Sequence, residues 1–309
     1  MRNLKKNVKK VVKNILPYYI AKKYHHDNKP HTHIYKDHGP GEFYSPIPSK
    51  EEIEGYNFNR PFPEILPGID LNTQKQMKLL NSFETFYNEL PFPDEKSDEF
   101  RYYYKNGWYE YSDAIFLHCM LRSLKPKKII EVGSGFSSSV ILDTNEKFLD
   151  NSMKMTFIEP HPDRLESVLK DCDKESTIIH KKRVQEIPVD VFNELEANDI
   201  LFIDSTHVSK FNSDVNYIIH QILPALTPGV YIHFHDVFFP FEYPKDWLLR
   251  GWAWNEQYIL RAFLQYNNKF KIVMFSSYLE RLYEKEIKRR FPLLYKVTGA
   301  SIWIKKEIH

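Results

Sequence analysis

The chain has 309 residues, 42% of them hydrophobic and 15% aromatic, enough to bury a full core in one large domain or two modest ones. Net charge is +2, but Arg2, Lys5, Lys6, Lys9, Lys10, Lys13, Lys22 and Lys23 face no acid within residues 1–24, which leaves −6 on the remainder. A mildly acidic body argues against nucleic-acid binding, no apolar run approaches the ~20 residues of a membrane span, and no signal-peptide core is present, so the expectation is a cytoplasmic protein.

In chain order, Leu4, Val8, Val11, Val12 and Ile15 gather on one face of a helix whose other face carries lysines, until Pro17 stops the pattern. Such a basic amphipathic helix can lie on the anionic inner face of a membrane, or pack its apolar stripe on the body or on a second copy in a homo-oligomer. Residues 24–49 hold His25, His26, His31, His33 and His38 at irregular spacing, which reads as a draped loop rather than a metal site. Prolines in the segment 43–48 and in the stretch from Pro61 to Pro67 imply extended chain, and residues 72–90 return to helical spacing before Pro91 ends it. An aromatic, polar patch comes next, Arg101-Tyr102-Tyr103-Tyr104 through Trp108-Tyr109-Glu110-Tyr111, ahead of a helix that Ser112 and Asp113 are placed to cap. The expected division is therefore a basic helix over 1–24, an N-terminal extension or lid over 25–111, and a main domain over 112–309. Cys119 and Cys172 show no metal spacing and read as reduced, buried thiols.

The main domain opens on Lys128-Ile129-Ile130-Glu131-Val132-Gly133-Ser134-Gly135-Phe136-Ser137, a β-branched run delivered into two glycines and then a helix-compatible segment. That is the strand, turn and helix start of a nucleotide site, although the third glycine of a dinucleotide fingerprint is absent. Strands then alternate with helices: strands at 154–159, 177–180, 199–204 and 230–236, with helices across 161–169 and 214–226. A helix over 256–266 and strands at 270–275 and 300–305 finish the chain. Such alternation predicts a doubly wound, mostly parallel sheet with its site at the carboxyl ends of the strands, where Glu159, Asp204 and Asp236 fall.

The ordered set Glu131-Val132-Gly133-Ser134-Gly135, Glu159, Asp204 and His233-Phe234-His235-Asp236, with seven strands, resembles the class I S-adenosylmethionine-dependent methyltransferases. Ile203-Asp204-Ser205-Thr206-His207 and the segment around His235 are similar to a bacterial branch acting on small molecules and glycans. The resemblance covers roughly residues 112–305 and implies a seven-stranded Rossmann-like methyltransferase sheet bearing an N-terminal extension. It implies S-adenosylmethionine held by Glu131, Gly133, Ser134, Gly135, Ser137, Glu159, Gln185 and Asp204, with Glu186 beside the adenine. A carboxylate such as Glu159 suits two ribose hydroxyls, and serines at 137 and 138 suit a ligand without pyrophosphate.

The expected chemistry is methylation of a hydroxyl on a sugar or glycan precursor. His235, Asp236 and His207 are the catalytic candidates, because an alcohol must lose its proton as it accepts the methyl. His233, two residues deeper along the same strand face, reads as a core histidine. Asp204 and Asp236, with His207 and His235 nearby, also make a divalent-metal cluster, and Mg²⁺ or another divalent ion is implied by similar O-methyltransferases, although Val237 stands where those often carry another Asp or Asn. Tyr102, Tyr103, Trp108, Arg250, Trp254 and Asn255, with Arg101, Trp252 and Glu256 near them, are the candidates for acceptor binding, since flat rings stack on sugar faces and polar groups bond hydroxyls. The rival readings are a nicotinamide-dependent oxidoreductase and a non-catalytic scaffold.

Overall fold

The structure is a computed structural model, and it describes residues 38–307. The expected basic helix over 1–24 and four of the five histidines of the loop lie outside the described residues. Seven strands, β1 (Lys128–Val132), β2 (Lys154–Ile158), β3 (Thr177–His180), β4 (Ile200–Ile203), β5 (Tyr231–His235), β6 (Phe270–Phe275) and β7 (Ser301–Lys306), form one sheet in the order β3-β2-β1-β4-β5-β7-β6. Strands β1 to β5 pair in parallel, and β7 runs antiparallel to both β5 and β6. This is the seven-stranded, mostly parallel Rossmann-like sheet that the alternating pattern predicts.

Burial explains the strand sequences. All four residues of β4, Ile200-Leu201-Phe202-Ile203, are buried, as expected of a central strand covered on both faces. At the edge, β3 loses that protection, and Ile178 is exposed.

Four of the longer helices, α1 (Thr73–Ser82), α2 (Tyr111–Leu124), α3 (Phe136–Phe148) and α4 (Glu256–Leu264), frame the sheet and carry residues that shape or brace its carboxyl edge. The glycine turn leads into α3, whose Val140, Ile141 and Leu142 are buried. Helix α2 is buried over nearly all its length and stops at Lys125, which takes a left-handed conformation just before Pro126. Its start differs from expectation. The helix begins at Tyr111, and Ser112 and Asp113 lie inside it rather than capping it. The Ser112 hydroxyl instead bonds Glu280, and Asp113 accepts from the Ala300 amide at 3.1 Å. Cys119 is buried on α2 as expected, whereas Cys172 is exposed, because its short helix Asp171–Ser176 buries only Asp173. Two helices, Ser276–Leu282 and Glu284–Arg290, fill the span between β6 and β7, where the sequence pattern predicts no element.

The described chain divides into two compact units at places other than residue 111. One holds residues 59–244 and 254–307 and contains the whole sheet; the other holds 38–58 with 245–253. Side chains show why 59–111 belongs with the sheet. Gln76 of α1 is fully buried, donating to the Leu71 carbonyl at 2.5 Å and accepting from the Phe275 amide at 2.7 Å. Arg101, expected near an acceptor, is buried in an ion cluster with Asp143 (2.7 Å), Glu146 (2.6 Å) and Asp173 (2.6 Å).

Candidate functional site

Strand register assembles the site. Val132 pairs with Ile158 on one side and Ile203 on the other, and Ile203 pairs with Phe234. The residues that leave these strands, Gly133, Glu159, Asp204 and His235, therefore emerge side by side at the carboxyl edge. Gly133 adopts φ +81°, and a Cβ there would sit 1.7 Å from the carbonyl oxygen of Asp204. Only glycine fits, and the neighbour that demands it is backbone. At Gly135 the limit is softer, since a Cβ would meet the Arg164 side chain at 2.8 Å.

The turn is held from beneath by Glu131. This carboxyl, expected at the cofactor, is fully buried and accepts from the hydroxyls of Ser137 (2.6 Å) and Ser138 (2.5 Å), while Ser138 accepts from the Gly135 amide at 3.0 Å. Burial pushes the Glu131 carboxyl up to about 8 against the opposing serine bonds. Ser137 is thereby engaged with Glu131.

In front of the turn a cleft of about 400 Å³ opens, lined by Gly133, Glu159, Gln185, Asp204, Thr206 and Asp214 among others. Glu159 accepts from the amides of Ser134 (3.2 Å) and His161 (2.7 Å), which fixes its carboxylate at the rim with lone pairs to spare. Gln185 donates to the Asn212 carbonyl at 2.7 Å, and its own amide oxygen is buried without a hydrogen-bond partner. Glu186 turns back to bond Arg183 and does not line the cleft.

Asp204 belongs both to this cleft and to a cluster of acids and imidazoles. His207 Nε2 lies 3.2 Å from Asp204 and 3.4 Å from Asp236. His235 Nδ1 lies 3.4 Å from Asp204 and 3.7 Å from Asp236, without hydrogen-bond geometry to either. Each ring meets a further carboxylate through its other nitrogen: His207 Nδ1 with Glu256 at 2.8 Å, and His235 Nε2 with Asp113 at 3.5 Å. Glu256 also accepts from the Ser205 hydroxyl at 2.9 Å, and the His207 carbonyl accepts from the Asn255 and Glu256 amides. His207 and Asp236 both sit at positive φ, 59° and 54°, a conformation that His and Asp tolerate better than most residues.

The electrostatics reflect this crowding. Burial would lower His207, but Asp204 and Glu256 prevail and hold it up to about 10. Burial likewise opposes the charge on His235, and Asp236 and Asp204 raise it well above the ordinary range. Burial also works against Asp204, yet His235 and His207 hold its carboxyl well below the usual range, a pull that solvent damps because a third of that side chain is exposed. Asp236 is raised by burial. His233 is buried between Phe202, on which it stacks at 3.9 Å, and His235 at 6.2 Å, and burial with the His235 charge holds it well below the ordinary range.

The aromatic residues separate. Trp254 is half-buried with its ring 4.5 Å from that of His207, at the cluster. Tyr102, expected to meet an acceptor, is fully buried against Phe92 and donates to the Tyr109 carbonyl, so it is a core side chain. Tyr103 packs on Phe136 beside the glycine turn, and exposed Trp108 lies under the Arg164 guanidinium at 3.9 Å. Asn255 spends both ends of its amide on the Ser209 backbone, holding the 207–209 loop. Arg250 belongs to the smaller unit, where its guanidinium lies 5.5 Å from the Trp252 ring. Sequence patterns do not single out Glu256 and Asp113 as partners of the two histidines. Glu256 opens a helix far along the chain, and Asp113 has the spacing of a helix cap.

Residues 130–237, the span from β1 to just past β5, match a family model described as a methyltransferase domain. The chain is 34% identical over 173 residues to an uncharacterized protein of Archaeoglobus fulgidus, covering 52% of this chain and 75% of that one. Among solved structures, the O-methyltransferase TomG from Streptomyces achromogenes, involved in tomaymycin synthesis and crystallised with S-adenosylmethionine, is 13% identical with a TM-score of 0.42, over 76% of this chain and 90% of that one. The Podospora anserina methyltransferase PaMTH1, bound to S-adenosylhomocysteine, is 13% identical with a TM-score of 0.42, over 80% and 100%. Sheet order, glycine turn and family match agree: residues 130–237 form a methyltransferase domain on the Rossmann-like sheet of the class I S-adenosylmethionine-dependent methyltransferases.

Proposed function

We propose that the protein transfers the methyl group of S-adenosylmethionine to a hydroxyl of a sugar or glycan precursor. The observation that carries this reading is that Asp204 lines the cofactor-sized cleft and also belongs to the His207–His235–Asp236 cluster, so cofactor and acceptor sites adjoin. Glu159 would accept from the ribose hydroxyls, and the partnerless oxygen of Gln185 would accept from the adenine amine. The methionine end would lie along Gly133, Ser134 and Gly135, which Glu131 and Ser137 hold in shape.

The acceptor oxygen must stand within ~3–3.5 Å of the methyl carbon for in-line displacement. As the O–C bond forms and the S–C bond breaks, the hydroxyl proton passes to the cluster, where Asp236, its carboxyl raised by burial, is placed to take it; His207 and His235, whose own protons the acids hold, would accept it only after giving those up. Products are the methyl ether and S-adenosylhomocysteine. Trp254, beside His207, offers a ring on which a sugar face can stack, with Tyr103 and Trp108 near the turn. Asp204, His207 and Asp236 present donor atoms within 4.8 Å of one another, and the buried His235 Nδ1 beside them lacks a hydrogen-bond partner, so the cluster suits a divalent cation. A cation bound there would polarise the acceptor hydroxyl.

Residues 1–24 would hold the protein on an anionic membrane surface, where such acceptors can be presented. Serines rather than a third glycine after the turn disfavour a dinucleotide and hence the oxidoreductase reading. Calorimetry tests the core of the proposal: saturable binding of S-adenosylhomocysteine and none of NAD is expected. The opposite pattern would overturn it.

A further inference from the structure

The cluster at the carboxyl edge differs from an all-oxygen magnesium site in having two imidazoles. Going round it, oxygen and nitrogen alternate: Asp204 Oδ1, His207 Nε2, Asp236 Oδ2, His235 Nδ1, with successive separations of 3.2, 3.4, 3.7 and 3.4 Å. Three of these donors already have the mutual spacing of ligands to one ion, and the His235 ring, just outside that set, would have to close inward onto a bound cation. The Asp204, His207 and Asp236 donor atoms all lie within 4.8 Å of one another.

Two further features favour nitrogen ligation. His235 is 7% exposed, and its Nδ1 is buried, lacks a hydrogen bond and points between the two aspartates. Both rings are also backed on their far nitrogen by a carboxylate, Glu256 for His207 and Asp113 for His235. Metal-binding histidines are characteristically oriented by such a carboxylate, and a cation entering between the aspartates would displace the proton that the acids otherwise hold on each ring. Mg²⁺ takes oxygen ligands and keeps its waters, whereas imidazole suits zinc, iron, nickel and copper.

We propose that this site binds a divalent transition-metal ion through His207 Nε2, His235 Nδ1, Asp204 and Asp236, with Glu256 as a positioning residue for His207. The role of the ion rests on the methyl-transfer reading; the ligand set does not.

The test uses the full chain stripped of metal with a chelator. Cu²⁺ added at one equivalent should give an electron paramagnetic resonance spectrum split by two imidazole nitrogens, one set of splittings disappearing in His207→Gln and the other in His235→Gln. Zn²⁺ should bind at least tenfold more weakly to either variant, while Mg²⁺ affinity stays within about twofold. Glu256→Gln leaves every ligand in place and should weaken Zn²⁺ binding about 10- to 100-fold. A spectrum without nitrogen splitting, or Zn²⁺ affinity unchanged in both histidine variants, would overturn the proposal. The splitting should persist when His25, His26, His31, His33 and His38 are all replaced by Gln, and its loss there would overturn the proposal even where a variant of the cluster fails to fold. S-adenosylhomocysteine calorimetry on the same preparation keeps the two readings apart: cofactor binding without nitrogen-ligated metal sinks this proposal alone, and metal without cofactor sinks the methyl-transfer reading.

Discussion

Gly133 and Asp204 face each other across β1 and β4 so closely that one added methyl on the glycine would overlap the aspartate's carbonyl oxygen at 1.7 Å. The carbonyl is part of the sheet edge and cannot step aside, and at φ +81° a side chain is strained even in open space. Gly133→Ala should therefore cost at least about 2–3 kcal/mol. Thermal denaturation should show a lowered midpoint, and the variant should lose S-adenosylhomocysteine binding in calorimetry. Gly135→Ala meets only the flexible Arg164 side chain and should be much the milder of the two.

Glu159 stands at the rim of the cleft, anchored by two backbone amides rather than by the core. Glu159→Gln should leave the melting temperature nearly unchanged and weaken S-adenosylhomocysteine binding by roughly 10- to 100-fold, the worth of about 1.5–3 kcal/mol in a charge-assisted hydrogen bond. Affinity within twofold of wild type would remove Glu159 from the ribose.

Arg101 is a stability residue on this structure. Its guanidinium is buried against Asp143, Glu146 and Asp173, so its removal strands carboxylates without a counter-charge. Arg101→Met should lower stability by about 3–5 kcal/mol in urea denaturation, and adding Asp173→Leu should recover part of the loss.

Glu280 is buried between the Ser112 hydroxyl and the Gly299 amide, and burial pushes its carboxyl up to about 8 from an ordinary 4.5. The folded state then holds a proton that the unfolded state has released. Its contribution is fully present below the unfolded value and is lost as pH rises from about 4.5 through about 8. Comparing urea midpoints of wild type and Glu280→Gln from pH 5 to pH 8, the wild type should lose stability with rising pH more steeply than the variant. Parallel curves would show that Glu280 is already ionised in the fold.

Removal of residues 1–24 should move the protein from the membrane fraction to the soluble one. Unchanged partitioning in cell fractionation would withdraw the anchor.

The strands, the glycine turn and the acids at strand ends can be read from the chain because each is a local pattern: β-branched runs, two glycines one residue apart, an acid closing an apolar segment. The length of α2 is legible for the same reason, but its start is not, because Asp113 is drawn to Ala300 and Ser112 to Glu280, partners more than 160 positions away. The rings and amides around the site show the same limit. Tyr102 and Trp254 are both aromatic residues in polar company, yet packing sends one into the core and sets the other beside His207.

What the sequence determined by itself was the order of strands and helices and the residue types at each strand's end, since periodicity and turn chemistry act over a few residues. Tertiary structure decided which of those ends touch. Register set Gly133 against Asp204 and brought Asp113 and Glu256 behind two histidines remote in the chain. Such contacts depend on how whole strands and helices align, which no short stretch of sequence specifies.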